Sequence, residues 1–486
     1  MNLLTAPWIP VSSADMPGIT LQTLLCQENP ELAIRFHRDD IELATLQMLV
    51  CLVQVLFLPD NKHTLRERLA KPLTEQEFQA GIAPFVDMFD LRHETHPFMQ
   101  TRGVSAKDAT PVQKLFAGLP EGNNHALFND AGEITAVPAA WAAIALFNQA
   151  VNCPSFGGGF KGGLRGEAPL TTLIRGNSLR ETVWLNVLSQ EYLTASLPHL
   201  ESIKEDLPVW IKPIAEKSTI QAHQIGLLRG LFWQPAKVEL LWNEMGQCIG
   251  FNKEKFNYMV NGFWQHPHSP FIVKPKQNKQ FYISFRRSEP AWTYLNELLV
   301  HKLTDKQGHV PALVISHFQE VFHHRTLHLI VGGYKNKQAS IIQRRHELLS
   351  LASGWDENMQ NLEQLINYAM DIKGKLSWTL HEFGKKANLP KLDLSASAEA
   401  RFYLDSEDFI YSRLQQVDWN ELIPEKQRFF DRLASLATRV FEEVTQPYQN
   451  LTEPKMLKAL AESERLLRRA LNKLNPASAT KEAETA

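Results

Sequence analysis

From Asp356 to Leu474 the chain carries few glycines and sparse prolines, and apolar residues recur at three- and four-residue intervals. That interval keeps them on one face of an α-helix, which turns once in about 3.6 residues. In the last such segment Met456, Leu457, Leu460, Leu467, Ala470, Leu471 and Leu474 make the apolar face. Lys455, Glu462, Arg465, Arg468 and Arg469 lie largely around the rest. A single amphipathic helix cannot bury its own stripe, so three or four of them in series imply an antiparallel bundle.

Residues 1–355 read differently, as short helical and strand-like runs broken by proline and glycine. The fold class is therefore α+β, with a large irregular mixed α/β N-terminal domain (1–355) followed by a C-terminal four-helix bundle (356–475). Residues 476–486, PASATKEAETA, have the small polar composition of a disordered tail. A chain of 486 residues exceeds what one core usually holds, which agrees with more than one domain.

Within the first region, Ile41–Phe57 is an apolar run of 17 residues that carries Glu42, Gln47 and Gln54. A membrane-spanning helix needs about 20 predominantly apolar residues, so this is expected as a buried core helix. Asp39 or Asp40 can cap its start, and Pro59 follows its end. Thr74–Phe89 repeats at helical spacing. Pro138–Val151 is Ala-rich and apolar on nearly every side, a buried helix with Pro138 near its first turn. Thr182–Leu188, Phe271–Val273, Phe281–Phe285 and Leu327–Val331 are β-branched or aromatic and read as strands.

Net charge narrows the function. Formal charge is −2 and the pI is about 6.8. A free-standing DNA-binding domain is usually basic, because phosphate contacts dominate affinity. Any nucleic-acid role must use local patches or an assembly. Cys26, Cys51, Cys153 and Cys248 are far apart and form no CxxC, which argues against a disulfide framework or a Cys-type zinc site and fits reduced thiols in a cytoplasm. The opening MNLLTAPWIP lacks the basic and long apolar regions of a signal peptide.

Three segments could carry chemistry. Ser155–Gly166 holds six glycines in twelve residues, with Lys161 and Arg165 adding charge. Missing Cβ atoms let a backbone pass close to a ligand, and exposed N–H groups can face phosphates or base edges. A phosphate-binding P-loop would need Lys after Gly162, where Gly163 stands. A plain structural turn is the other reading. The second segment, Lys253–Arg287, interleaves Lys253, Lys255, Lys274, Lys276, Lys279, Arg286 and Arg287 with Phe256, Tyr258, Phe263, Trp264 and Tyr282. Cations can meet phosphates while aromatics stack or pack; a solvated charged sheet edge is the alternative.

The third runs from Gly332-Gly333-Tyr334 through a polar turn to Arg344-Arg345-His346, with a helix expected to begin near Ser340 and Gln338 at the turn tip. An ordinary β–turn–α connection is its bland reading. None of the 17 histidines sits in HExxH, and His266-Pro-His268-Ser-Pro270 reads as a rigid turn. No GxSxG occurs. No positive feature marks an enzyme.

Taken together these segments resemble the CasA family, the large subunit of the type I-E CRISPR Cascade effector complex. The resemblance spans nearly the whole chain. It rests on Met1-Asn-Leu-Leu4 with Trp8-Ile-Pro10, Arg38-Asp39-Asp40, His96–Gln100 and Ile144–Gln149. It continues through the glycine loop 156–166, Gly262–Pro270, Gly332-Gly-Tyr334 with Gln338-Ala-Ser340, and Arg344-Arg-His346.

The resemblance implies a non-catalytic part of an antiviral ribonucleoprotein. In it, CRISPR RNA reads the target by base pairing and this subunit reads the protospacer-adjacent motif in double-stranded DNA from the minor groove. It assigns DNA contact to Gly157, Gly158, Gly159, Phe160 and Lys161 of the glycine loop, and to a lysine finger, Lys255. Lys276 holds the duplex. Gln338 is a wedge that starts strand separation, flanked by Lys337 and Ala339. Phe128 and Asn129 dock near the 5′ end of the CRISPR RNA. Expected partners are the other Cascade subunits, which the bundle meets, and a helicase–nuclease recruited after target binding.

Two departures stand out. Lys337 occupies a place often held by Asn. Pro138 and Trp141 fall near a CxxC that some members carry, so no zinc or other cofactor is expected. A nucleotide-binding enzyme using the glycine loop, and a scaffold that reads no DNA, are the competing functions.

Overall fold

The structure is a computed structural model and describes residues 1–12, 18–119, 132–277, 279–285, 289–304, 307–389, 393–449 and 453–477. Two compact units emerge, one from residues 1–286, 301–322 and 328–348, the other from residues 287–300, 323–327 and 349–486.

The first unit is built around two buried helices, Asp39–Leu56 and Ala139–Val151. The first starts differently from the expectation. Arg38 is the extended N-cap residue and makes no side-chain cap, while Asp39 and Asp40 fall in the first turn, where carboxylates complement the helix dipole. Gln54 inside the apolar run donates to the Leu188 carbonyl (2.9 Å) and accepts from the Leu188 amide (2.7 Å), so its burial is compensated. Around these helices an aromatic cluster joins Phe89, Phe98, Phe147, Trp210 and Phe232 at ring separations of 5.2–6.3 Å. Thr74 caps the Glu75–Ile82 helix through a capping box with Glu77, and a 3₁₀ turn continues to Phe89.

Four small sheets form among the described residues. Ala236–Trp242 pairs antiparallel with Cys248–Lys255, which also pairs Thr110–Pro111. Phe271–Lys274 lies between Lys279–Tyr282 and Gly308–Val310. Ser218–Gln221 pairs parallel with Tyr258–Asn261. Leu327–Lys337 lies between Thr171–Ile174 and Ser340–Leu351.

Three sequence expectations fail here, the first in part: the strand expected at Phe281–Phe285 is Lys279–Tyr282 and stops at Tyr282. Thr182–Leu188 is not a strand; residues Leu179–Leu185 form a helix, because Ser178 caps the Glu181 amide (3.1 Å) and this local start outweighs the β-branched residues. The segment after Ser340 is not a helix but the second arm of a hairpin. The first arm offers an eleven-residue edge, and β-branched Ile341 and Ile342 suit pairing to it.

Among the described residues the second unit contains four long helices, Met359–Lys386, Leu394–Gln416, Leu422–Gln449 and Pro454–Asn472, as expected. Leu362, Leu365, Ile366, Ala369, Ile372, Leu376, Leu380 and Phe383 of the first are buried at helical spacing. In the last helix the buried stripe is Met456, Ala459, Ser463, Leu467 and Leu471, and Leu457, predicted to face inward, is 45% exposed. Residues 478–486 of the expected tail lie outside the described residues. No described helix is long and apolar enough to cross a membrane.

Candidate nucleic-acid interface

The glycine loop leaves the C-terminus of the Ala139–Val151 helix and doubles back at Gly157, whose carbonyl accepts from the Phe160 amide (3.0 Å). Gly157, Gly158 and Gly159 take φ of +77°, +56° and +86°. An L side chain in that left-handed region costs roughly 1–2 kcal/mol per residue, so three in succession require glycine. No atom lies within 4 Å of where a Cβ of Gly158 would stand, which makes the loop crest bare backbone facing open space.

Lysines crowd one flank of this loop. Lys253 and Lys255 lie two apart on the Cys248–Lys255 strand and so share a face. The Lys255 ammonium is 3.1 Å from the Cβ position of Gly159 and 5.7 Å from the Phe160 ring centre. The Lys253 ammonium is 4.9 Å from the ring of Phe156, which meets Phe160 edge-on at 5.7 Å. Lys161 stands over Tyr258 at 4.6 Å. These cation–π contacts hold the ammonium groups at the loop. Glu254, on the opposite strand face, is engaged by Lys237 (2.7 Å), whose ammonium pKa is raised by its bonds to Glu254 and Glu216.

Across from the loop crest is the tip of the Leu327–Lys337/Ser340–Leu351 hairpin. Gln338 and Ala339 form its two-residue turn, and Gln338 has φ +53°, a conformation that favours glycine. Asn336 steadies it by donating from Nδ2 to the Gln338 carbonyl (2.7 Å), while the Gln338 side chain is exposed. Lower down, Gly332 and Gly333 allow a close crossing. A Cβ on Gly332 would stand 2.4 Å from Leu43, and one on Gly333 would stand 2.8 Å from the Pro169 carbonyl. Loop and hairpin tip enclose an open cleft of about 710 Å³. Ser155, Gly157, Gly158 and Glu167 line one side, and Asn336, Gln338, Ala339 and Ser340 the other.

Of the residues picked from sequence, Gly157, Gly158, Gln338 and Ala339 thus line one cleft, and Gly159, Phe160, Lys161 and Lys255 flank it. Lys337 is exposed at the end of its strand. Lys276 is exposed in the Pro275–Gln277 turn, within a different sheet, and no described contact joins it to the cleft. Phe128, Asn129, Arg286 and Arg287 lie outside the described residues.

Arg165 corrects the sequence reading. It does not add charge to the loop surface but is 2% exposed, bonded to Ser269 Oγ (2.8 Å), Thr171 Oγ1 (2.7 Å), the Leu170 carbonyl (3.0 Å) and Asn152 Oδ1. Burial lowers its pKa to about 10. His266 and His268 are buried beside it, and burial pushes His268 down to about 3. Among the described residues no group of three or more His, Cys, Asp or Glu side chains could hold a metal ion. Sequence reasoning passed over Ser155, Glu167, Asn336 and Ser340. Asn336 carried a signal, since asparagine beside a tight turn often bonds local backbone.

The family model of the CRISPR-associated protein Cse1 matches residues 2–472. Among solved structures, Thermus thermophilus CasA (Cse1) is 19% identical with a TM-score of 0.76, covering 97% of this chain and 99% of that one. Thermobifida fusca Cse1 is 18% identical with a TM-score of 0.77, covering 98% of each. A chain of a CRISPR RNA-guided surveillance complex is 17% identical with a TM-score of 0.68, covering 96% and 99%. At these identities the structures speak for the fold, and the family match across nearly the whole length bears out the resemblance read from sequence. The chain belongs to the family of the CRISPR-associated protein Cse1.

Proposed function

We propose that this chain is the large subunit of a CRISPR RNA-guided surveillance complex, and that the cleft between glycine loop and hairpin reads the short motif flanking a target in double-stranded DNA. The observation that carries the reading is the pairing of a bare backbone crest with an exposed, conformationally constrained Gln338 across one cleft. A minor groove is about 6 Å wide and offers mainly acceptors, so thin elements with amide donors suit it. A two-residue turn and a Cβ-less loop are such elements.

Gln338 then enters the base stack beneath the motif. Unstacking costs a few kcal/mol per step. Lys255, Lys161 and Lys253 offset it by meeting backbone phosphates, and Lys276 and Lys337 extend the cationic path along the duplex. CRISPR RNA supplies sequence recognition, Phe128 and Asn129 dock near its 5′ end, and other subunits and a helicase–nuclease complete the assembly.

The test is binding of short duplexes with and without a candidate motif by the complex reconstituted with the native chain, Gln338→Ala or Lys255→Ala. Motif-dependent binding by the native complex that Gln338→Ala reduces about tenfold or more, with Lys255→Ala weakening all duplexes alike, supports the reading. Equal binding of all duplexes by all three forms overturns it and favours a scaffold.

A further inference from the structure

An unbroken hydrogen-bond chain links the glycine segment to the hairpin, the two segments that wall the cleft. Arg165, in the glycine segment, donates from Nη1 to Asn152 Oδ1. Asn152 Nδ2 donates to Asn148 Oδ1 (3.1 Å), and Asn148 Nδ2 donates to the Tyr334 hydroxyl (2.7 Å). Tyr334 donates to Asp40 Oδ2 (2.8 Å). Asp40 also accepts from Arg38 and, at 3.2 Å, from Arg344 on the second hairpin arm. Tyr334 lies four residues before Gln338 and Arg344 six residues after it.

The ends dictate the direction of every link. A guanidinium can only donate and a carboxylate can only accept, so each amide and the phenol between them have one satisfying orientation. The three neutral dipoles therefore align from cation to anion, which compensates two charges that do not touch. Arg165 is 2% exposed and Tyr334 1%; burial and the Asp40 carboxylate hold the Tyr334 phenol well above its ordinary range, so it stays a donor. A polar chain buried this deeply is rigid while complete and costly when cut.

We propose that Tyr334, Asn148, Asn152 and Asp40 are positioning residues, which hold the glycine loop and the hairpin tip at the separation needed for motif readout without touching DNA themselves. This rests on the function proposed above.

The test compares Tyr334→Phe, Gln338→Ala and the double variant in the reconstituted complex, well below its melting temperature, on duplexes with and without the motif. Tyr334→Phe is expected to lower the motif-to-nonmotif binding ratio about tenfold with nonmotif binding unchanged. The double variant should be no worse than Gln338→Ala, because Tyr334 acts through the same contact. A merely structural role would lower both kinds of binding together and leave the ratio constant, which overturns the inference. Should Tyr334→Phe fail to assemble, Arg344→Ala, cut at the half-exposed rim, gives the same readout. If Gln338→Ala itself leaves the ratio unchanged, the proposed function fails. If Gln338→Ala collapses the ratio and Tyr334→Phe does not, only the positioning role fails.

Discussion

Gln338 stands out at the residue scale because its backbone and side chain make opposite demands. Its φ of +53° suits glycine, yet a glutamine is present. Such a conflict is tolerated where function needs the side chain. Gln338→Gly is therefore expected to leave the melting temperature unchanged or raise it, by at most about 1 kcal/mol of stability, while abolishing motif-dependent binding. A melting temperature that drops would show the side chain to be structural. Gln338 was legible from sequence because it sits in a short polar turn after two glycines. Arg165 was misread because an arginine beside glycines looks the same whether it points out or in. The acceptors that bury it, Asn152, Thr171 and Ser269, span more than a hundred residues of sequence.

The legible elements were those with a strong local period. The Asp39–Leu56 and Ala139–Val151 helices and the four bundle helices follow from apolar spacing alone. The Ser340–Leu351 strand was missed because its edge partner, rather than its own residues, decides its form. The last bundle helix lies where expected but is rotated, since polar Ser463 is buried and apolar Leu457 is exposed. Polar contacts inside the bundle were also invisible. Glu425 has a fully buried carboxylate that accepts from Arg413 through both oxygens (2.7 and 2.8 Å) and from Arg428. Glu425→Gln should cost about 2 kcal/mol, seen as a lower denaturant midpoint for this unit. Arg439→Ala breaks half-exposed pairs with Asp405 and Glu443 and should cost under about 1 kcal/mol. Equal losses would contradict the burial argument.

At the scale of the molecule, several motifs behind the family resemblance prove to be architecture. Leu3, Leu4, Trp8 and Phe98 lie in the core, and Gln100 bonds the Leu91 carbonyl and the Leu240 amide. Asp40, Asn148, Tyr334 and Arg344 come from four of those motifs and meet only after folding. The first unit also carries a pH liability. Burial lowers His317 to about 4, and lowers His268, beside Arg165, to about 3; His266 falls well below its ordinary 6.5. The unfolded chain binds protons at these sites as pH falls below about 6.5, whereas the folded chain does not. Their stabilisation is thus present above that pH and declines as pH falls toward 4. Melting of this unit should shift to lower temperature between pH 7 and pH 5, less steeply for His317→Gln. A flat profile would show these histidines to be solvated.

Among the described residues lining the cleft, Glu167 alone is charged, and the lysines stand beside the cleft rather than in it. On the proposed reading, ion release from DNA belongs to the lysine flank and discrimination to the nearly neutral interior. Added salt then weakens every duplex by a common factor and leaves selectivity untouched. Overall grip and choosiness become separate dials, and a lysine gained or lost on the flank turns one without moving the other.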